Sequence, residues 1–215
     1  MRNIFNLDSP ILRALATTFD FAVLSLVTLL LSLPVVTAGA AVTALYRVIL
    51  SYLDHSNESL SVLRLIREWT ACLKRALLPW LGFLGAAAFL LADIRVIGHM
   101  PEAVRSLMAG SAVLLLTIVL LTGSFFFPQL ARKPGMGLRP LLRKSFCFSI
   151  GLLPRCLTLV AAWLLPGAML LFFPKVFIIL TILWLCGWPS LCALLGGKLL
   201  IGYLETEEKT AADPD

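Results

Sequence analysis

Asp20 is the first residue whose type and place suggest chemistry, an acidic side chain at the edge of the uncharged run Phe21–Tyr46. A carboxylate at membrane depth is costly unless it faces a bundle interior or an aqueous cavity, so it is a candidate functional group. The plainer reading puts Asp20 within about two turns of the outer boundary, hydrated or paired with Arg13. Ser32-Leu33-Pro34-Val35-Val36-Thr37-Ala38-Gly39-Ala40 closes the same run. Proline removes a backbone donor and glycine tolerates positive φ, so the chain breaks or turns here. Broken backbone at membrane depth survives only when buried in protein or lining a cavity. At the membrane exit it is a plain turn. Pro34, Thr37 and Gly39 therefore join Asp20 as candidate intramembrane functional residues.

A second set is basic: Arg47, Arg64, Arg67, Lys74 and Arg75, then Arg139, Arg143 and Lys144. Placed beside apolar runs, such side chains meet anionic headgroups or a cytoplasmic partner. Other chemistry finds no template. Cys72, Cys147, Cys156, Cys186 and Cys192 form no CxxC pair and read as small buried hydrophobes. His55 and His99 lie neither in HExxH-like spacing nor beside a cysteine, so no metal is expected. A Walker A loop, a GxSxG elbow and paired carboxylates are all missing, so neither an enzyme nor a cofactor is expected.

The elements that must carry these residues are transmembrane helices. Of 215 residues 60% are hydrophobic and 14% charged, against roughly 45–50% and about 25% in soluble domains. That excess belongs to a surface that faces lipid. The net charge of +6 does not point to nucleic acid, because the basic residues sit between apolar runs. A hydrocarbon core of about 30 Å needs about 20 apolar residues of helix. Uncharged runs at Phe21–Tyr46, Leu107–Leu130, Cys156–Pro174 and Val176–Gly197, with the shorter Leu77–Ala92, predict an all-α bundle of about five spans. These lie near 14–36, 77–97, 107–128, 155–173 and 176–200, in one domain over 1–205 with a short disordered acidic tail at 206–215. Although Ala38-Gly39-Ala40 has the form of a signal-cleavage site, the first run is too long for a signal peptide and reads as a retained helix.

Lys and Arg orient the spans. The loops after spans one and three hold most of them and belong in the cytoplasm, which puts the N-terminus outside and the tail inside. A six-span variant, with Val42–Leu53 as a short crossing, reverses the N-terminus but places Arg47 in mid-membrane. In the five-span reading that stretch begins a helix along the inner face. On a helical wheel Arg64, Arg67, Glu68, Lys74 and Arg75 oppose Val62, Leu65, Ile66, Trp69, Leu73 and Ala76, an amphipathic helix over 59–76 that runs into span two. Such a helix lies in the interface with its apolar face down, or presents a docking surface. A weaker counterpart over 136–150 carries Arg139, Arg143 and Lys144 among Leu138, Leu141, Leu142, Phe146 and Ile150. Laying Leu63-Arg64 over Leu142-Arg143 brings Leu73 onto Leu152, so each half reads as a basic helix followed by a two-span hairpin.

Phe5-Asn6-Leu7-Asp8-Ser9-Pro10, Asp20, the Ser32–Ala40 block and Thr43-Ala44-Leu45-Tyr46 together resemble the YesL-like family of bacterial membrane proteins of unknown function. One departure is Ser25, where the resemblance implies an asparagine. Genes of that family tend to lie beside carbohydrate-uptake ABC transporters, so the resemblance implies an accessory role in sugar uptake. The leading expectation is a non-enzymatic scaffold in the bacterial cytoplasmic membrane, held in the lipid bilayer and contacting a sugar ABC permease through its basic helices. The alternative is a small transporter or channel, working as a homo-oligomer, with Asp20 and the Pro34–Gly39 break along the path. A membrane sensor is third, disfavoured by short outer loops.

Overall fold

Backbone amides in lipid have no water to bond, so an uncharged run must close its hydrogen bonds within itself. In a computed structural model, which describes residues 10–54, 60–97 and 101–212, all regular structure among the described residues is helical. α1 (Pro10–Ser32) leads through a single 3-10 turn at Val35–Thr37 into α2 (Ala38–Asp54). α3 (Val62–Ile97) and α4 (Glu102–Arg132) follow, then α5 (Leu138–Gly151), α6 (Leu153–Phe172), the short α7 (Pro174–Ile179) and α8 (Thr181–Ala212). His55, His99 and Phe5–Ser9 lie outside the described residues.

Among the described residues, six stretches are long and apolar enough to cross a membrane by length and composition: Leu15–Ser32, Val35–Asp54, Val62–Val96, Val104–Arg132, Leu153–Phe172 and Trp184–Gly202. Exposed Leu26, Leu30, Phe89, Leu164 and Leu170 give the outside of the bundle an apolar surface suited to lipid. The described residues thus hold one such stretch more than the five expected spans, and α2, the extra one, packs inside the bundle. Ala40, Ala41, Ala44, Leu45, Val48 and Ile49 are all buried, and α2 packs against α1, α3, α4 and α8. Arg47, the charge that weighs against a crossing here, pairs with Glu68 of α3 at 2.7 Å. With a partnered charge, a helix interrupted by one arginine runs through the protein interior. Small residues at Gly39, Ala40, Ala41 and Ala44 let neighbouring backbones approach, and van der Waals packing then holds the helices.

From α1 to α5 successive helices alternate in direction, and α6 carries on from α5 past a break. The Phe21 ring meets Tyr52 edge-on at 5.7 Å, Arg64 Nη2 donates to Ser51 Oγ at 2.9 Å, and Ser149 Oγ donates to the Leu121 carbonyl at 3.1 Å. Leu200 of α8 lies beside Gln129 and Arg132 of α4. One end of the bundle thus collects the starts of α1, α3 and α5 and the ends of α2, α4 and α8. This is the basic end. The start of α1, expected on the side away from the basic loops, lies at the same end of the bundle as they do, because α2 runs back along α1 before α3 begins.

The amphipathic stripe at the start of α3 runs straight into its apolar half, as expected, but its apolar face does not lie down on the membrane. Leu65, Cys72 and Ala76 are buried and the face packs on α2. At α5, Leu141, Ser145 and Phe148 turn toward α4, whereas Leu142, Phe146 and Ile150 are exposed. Where α3 is continuous, its counterpart breaks at Leu152, because Pro154 in the first turn of α6 supplies no amide to the preceding helix. α8 continues to Ala212, so helix extends through most of the 206–215 stretch expected to be disordered. Its own backbone ladder carries the chain beyond the last apolar residues.

Candidate functional site

The α1–α2 break is built from hydrogen bonds that replace those proline takes away. Thr37 Oγ1 donates to the carbonyls of Leu31 and Pro34, both at 2.9 Å, and the Thr37 amide to Pro34 at 2.8 Å. Trp80 of α3 donates its indole N–H to the Val35 carbonyl at 2.6 Å. Gly39 lies flush against the same tryptophan: a Cβ there would stand 2.6 Å from Trp80 Cβ. Pro34, Thr37 and Gly39 therefore form one closed turn, capped by Trp80, with these carbonyls satisfied. Nothing in the motif alone identified Trp80, which is distant in sequence.

Beside this turn an apolar cleft of about 460 Å³ opens between α1, α2, α3, α4 and α6, with Trp80, Phe83, Phe127 and Trp163 among its walls. Its polar contributions are few. Ser32 and Ser124 bond back to carbonyls of their own helices. Tyr46 reaches in with its hydroxyl buried and without a hydrogen-bond partner, although Trp163 lies beside it. Across from it a Cβ on Gly196 would come within 2.6 Å of that oxygen, so the glycine makes the room Tyr46 occupies. The cleft suits an acyl chain or an apolar side chain better than a polar solute.

Asp20 is not part of this arrangement. It lies half-buried next to Phe21, near the basic end, and the 14 residues between Asp20 and Pro34 place them about 20 Å apart along the helix. Of the two features a transport path would have joined, the break follows the end of α1 and Asp20 lies near the middle of that helix.

The basic candidates divide by use. Arg47 is spent on Glu68 and Arg64 on Ser51, both between α2 and α3. Arg67, Lys74, Arg75, Arg139 and Arg143 are exposed. Lys144 is half-buried, its ammonium 5.4 Å from the centre of the Phe148 ring. Among the cysteines, Cys72, Cys156 and Cys192 are buried and Cys147 is exposed on α5, against the expectation that all five are buried.

Ser25, the position where the resemblance implies asparagine, makes a polar contact that its own surroundings in sequence do not announce. Its hydroxyl donates to Ser190 Oγ at 2.7 Å and accepts the Ser190 amide at 3.2 Å. Ser190 Oγ in turn donates to the Phe21 carbonyl at 2.9 Å. Pro189 gives α8 no amide at this point, and the next amide, that of Ser190, donates to Ser25 of α1.

Comparison with known proteins adds one similarity. No curated protein and no solved structure matches the chain. Residues 21–94, from Phe21 of α1 through the break and α2 into the apolar half of α3, are similar to a family described as "Protein of unknown function, DUF624".

Proposed function

We propose that this is a non-enzymatic six-span protein of a bacterial cytoplasmic membrane that serves as an accessory or scaffold component beside a sugar ABC permease. One observation carries the scaffold reading. Arg67, Lys74, Arg75, Arg139 and Arg143 stand exposed at one end of the bundle, while Leu65, Cys72 and Ala76 of the apolar stripe on α3 are already buried against α2. A helix whose apolar stripe is spent inside the protein does not need the membrane surface to cover it, which leaves its basic face for a partner. Six spans put the start of α1, with Arg13, and the end of α8 on the same cytoplasmic side as these residues, in keeping with the positive-inside bias. The sugar-uptake context comes from the resemblance of the N-terminal block and Asp20 to YesL-like proteins.

The test is co-purification in mild detergent of tagged wild type and of a variant with Arg67, Lys74 and Arg75 neutralised. A permease or solute-binding component is expected with wild type and depleted with the variant. Recovery of no transport component with either protein overturns the proposal.

A further inference from the structure

At the basic end, the last turn of α4, the middle of α5 and Leu200 of α8 enclose a cavity of about 20 Å³. Gln129, Arg132, Lys133 and Lys144 supply its polar wall, Phe148 and Leu200 its apolar one. Two donors here are buried and unanswered: Gln129 Nε2, on a side chain only 7% exposed, and Arg132 Nη1. Leaving such donors unmade is costly, most of all for a charged group, and folded proteins satisfy them with a ligand or water. Water accepts hydrogen bonds but leaves three cations adjacent with no carboxylate among the lining side chains. The C-terminal carbonyls of α4 offset only about half a charge. An anion answers both the donors and the charge.

The geometry points to a phosphate. We propose that Gln129, Arg132, Lys133 and Lys144 bind the phosphate of an anionic lipid headgroup. Guanidinium matches phosphate oxygens in a planar fork, and the two lysines add point charges around it. A cavity of this size exceeds the roughly 10–15 Å³ that one water needs, so it receives the oxygens on one side of the group while the remainder stays at the mouth. Phe148 and Leu200 set the source. The site lies at the end of the long apolar stretches of α4 and α8, where acyl chains give way to headgroups.

The full-length protein, delipidated in detergent, is offered phosphatidylglycerol or phosphatidylcholine and examined by native mass spectrometry, with inorganic phosphate tested separately by thermal shift. Wild type is expected to retain phosphatidylglycerol in preference to phosphatidylcholine. Arg132→Met and Gln129→Leu should each cut that retention about tenfold, the loss of one charge-assisted hydrogen bond. Arg139→Gln, the same charge change on an exposed residue, should change it less than about twofold. Equal loss with Arg132→Met and Arg139→Gln, or loss with neither, overturns the site. Should Arg132→Met fail to fold, Gln129→Leu decides, since it removes no charge. Protection by inorganic phosphate without preference for phosphatidylglycerol overturns the lipid assignment in favour of a soluble phosphate.

Discussion

Gly39→Ala is expected to destabilise the protein by about 2 kcal/mol, although glycine-to-alanine in a helix ordinarily stabilises by about 0.5–1 kcal/mol. The new Cβ would stand 2.6 Å from Trp80 Cβ and 2.7 Å from Cγ, where carbon contacts ordinarily lie at about 3.5–4.0 Å. Rotamer change cannot relieve the first of these, because Trp80 Cβ is fixed to the backbone of α3. α2 and α3 must separate by about 1 Å, which strains the Trp80–Val35 hydrogen bond beside them. That places the cost near the upper part of the roughly 1–3 kcal/mol of overpacking, less the gain in helix propensity. The assay is thermal unfolding in detergent followed by tryptophan fluorescence, with Gly82→Ala as the comparison. Gly82 is also helical, but a Cβ there meets nothing within 4 Å, so that substitution should be neutral or stabilising. Equal stability of Gly39→Ala and wild type, or an equal loss from Gly82→Ala, refutes the close approach of α2 to α3.

Tyr46→Phe should be neutral or stabilising in the same assay, because it deletes a buried hydroxyl that has no partner and costs about 1–3 kcal/mol. Glu68→Gln should cost about 1–2 kcal/mol: the pair with Arg47 is half-buried, so its worth falls between that of surface pairs and the larger penalty for breaking buried ones. Urea titration of the two proteins measures the difference. Ser190→Ala removes the donor to the Phe21 carbonyl and the partner of Ser25, at about 1–2 kcal/mol, read by thermal unfolding. In the folded protein a thiol reagent should modify Cys147 well before Cys156 and Cys192, as peptide mapping would record.

Membrane helices announce themselves where apolar runs are long and uncharged, which is why α1, α4, α6 and α8 are readable from residues alone. α2 is not, and Arg47 is the reason. A rule that assigns cost to a lone charge cannot anticipate a carboxylate 21 residues later on a neighbouring helix. The wheel of α3 correctly separates a basic from an apolar face, but periodicity does not say whether lipid or protein covers the apolar one. Pro34 and Gly39 mark the break because their backbone properties are local. Its closure by Trp80, the Ser25–Ser190 contact and the unanswered donors of Gln129 and Arg132 all depend on which helices become neighbours. No spacing within one segment encodes that.

The displacement that lays Leu63-Arg64 on Leu142-Arg143 also lays Glu102, the first residue of α4, on Thr181, the first of α8, and carries the end of α4 to within one residue of Ala212. α3–α4 and α5–α6–α8 are therefore similar hairpins, each entered from the basic end, the second broken where Gly151 and Pro154 interrupt it. α2 stands outside this correspondence and packs against α3, α4 and α8 alike, while α1 packs chiefly on α8. The hairpins meet directly, α4 against α5, α6 and α8, and α2 packs on both beside that contact. A defect confined to α6 loosens one hairpin, whereas a shift of α2 at Gly39 or Arg47 disturbs the packing of both. The similarity to the DUF624 family falls on residues 21–94, which include all of α2 and most of α1 and α3. It therefore covers α2, which packs on a helix of each hairpin, together with the closed turn that fixes where α2 begins.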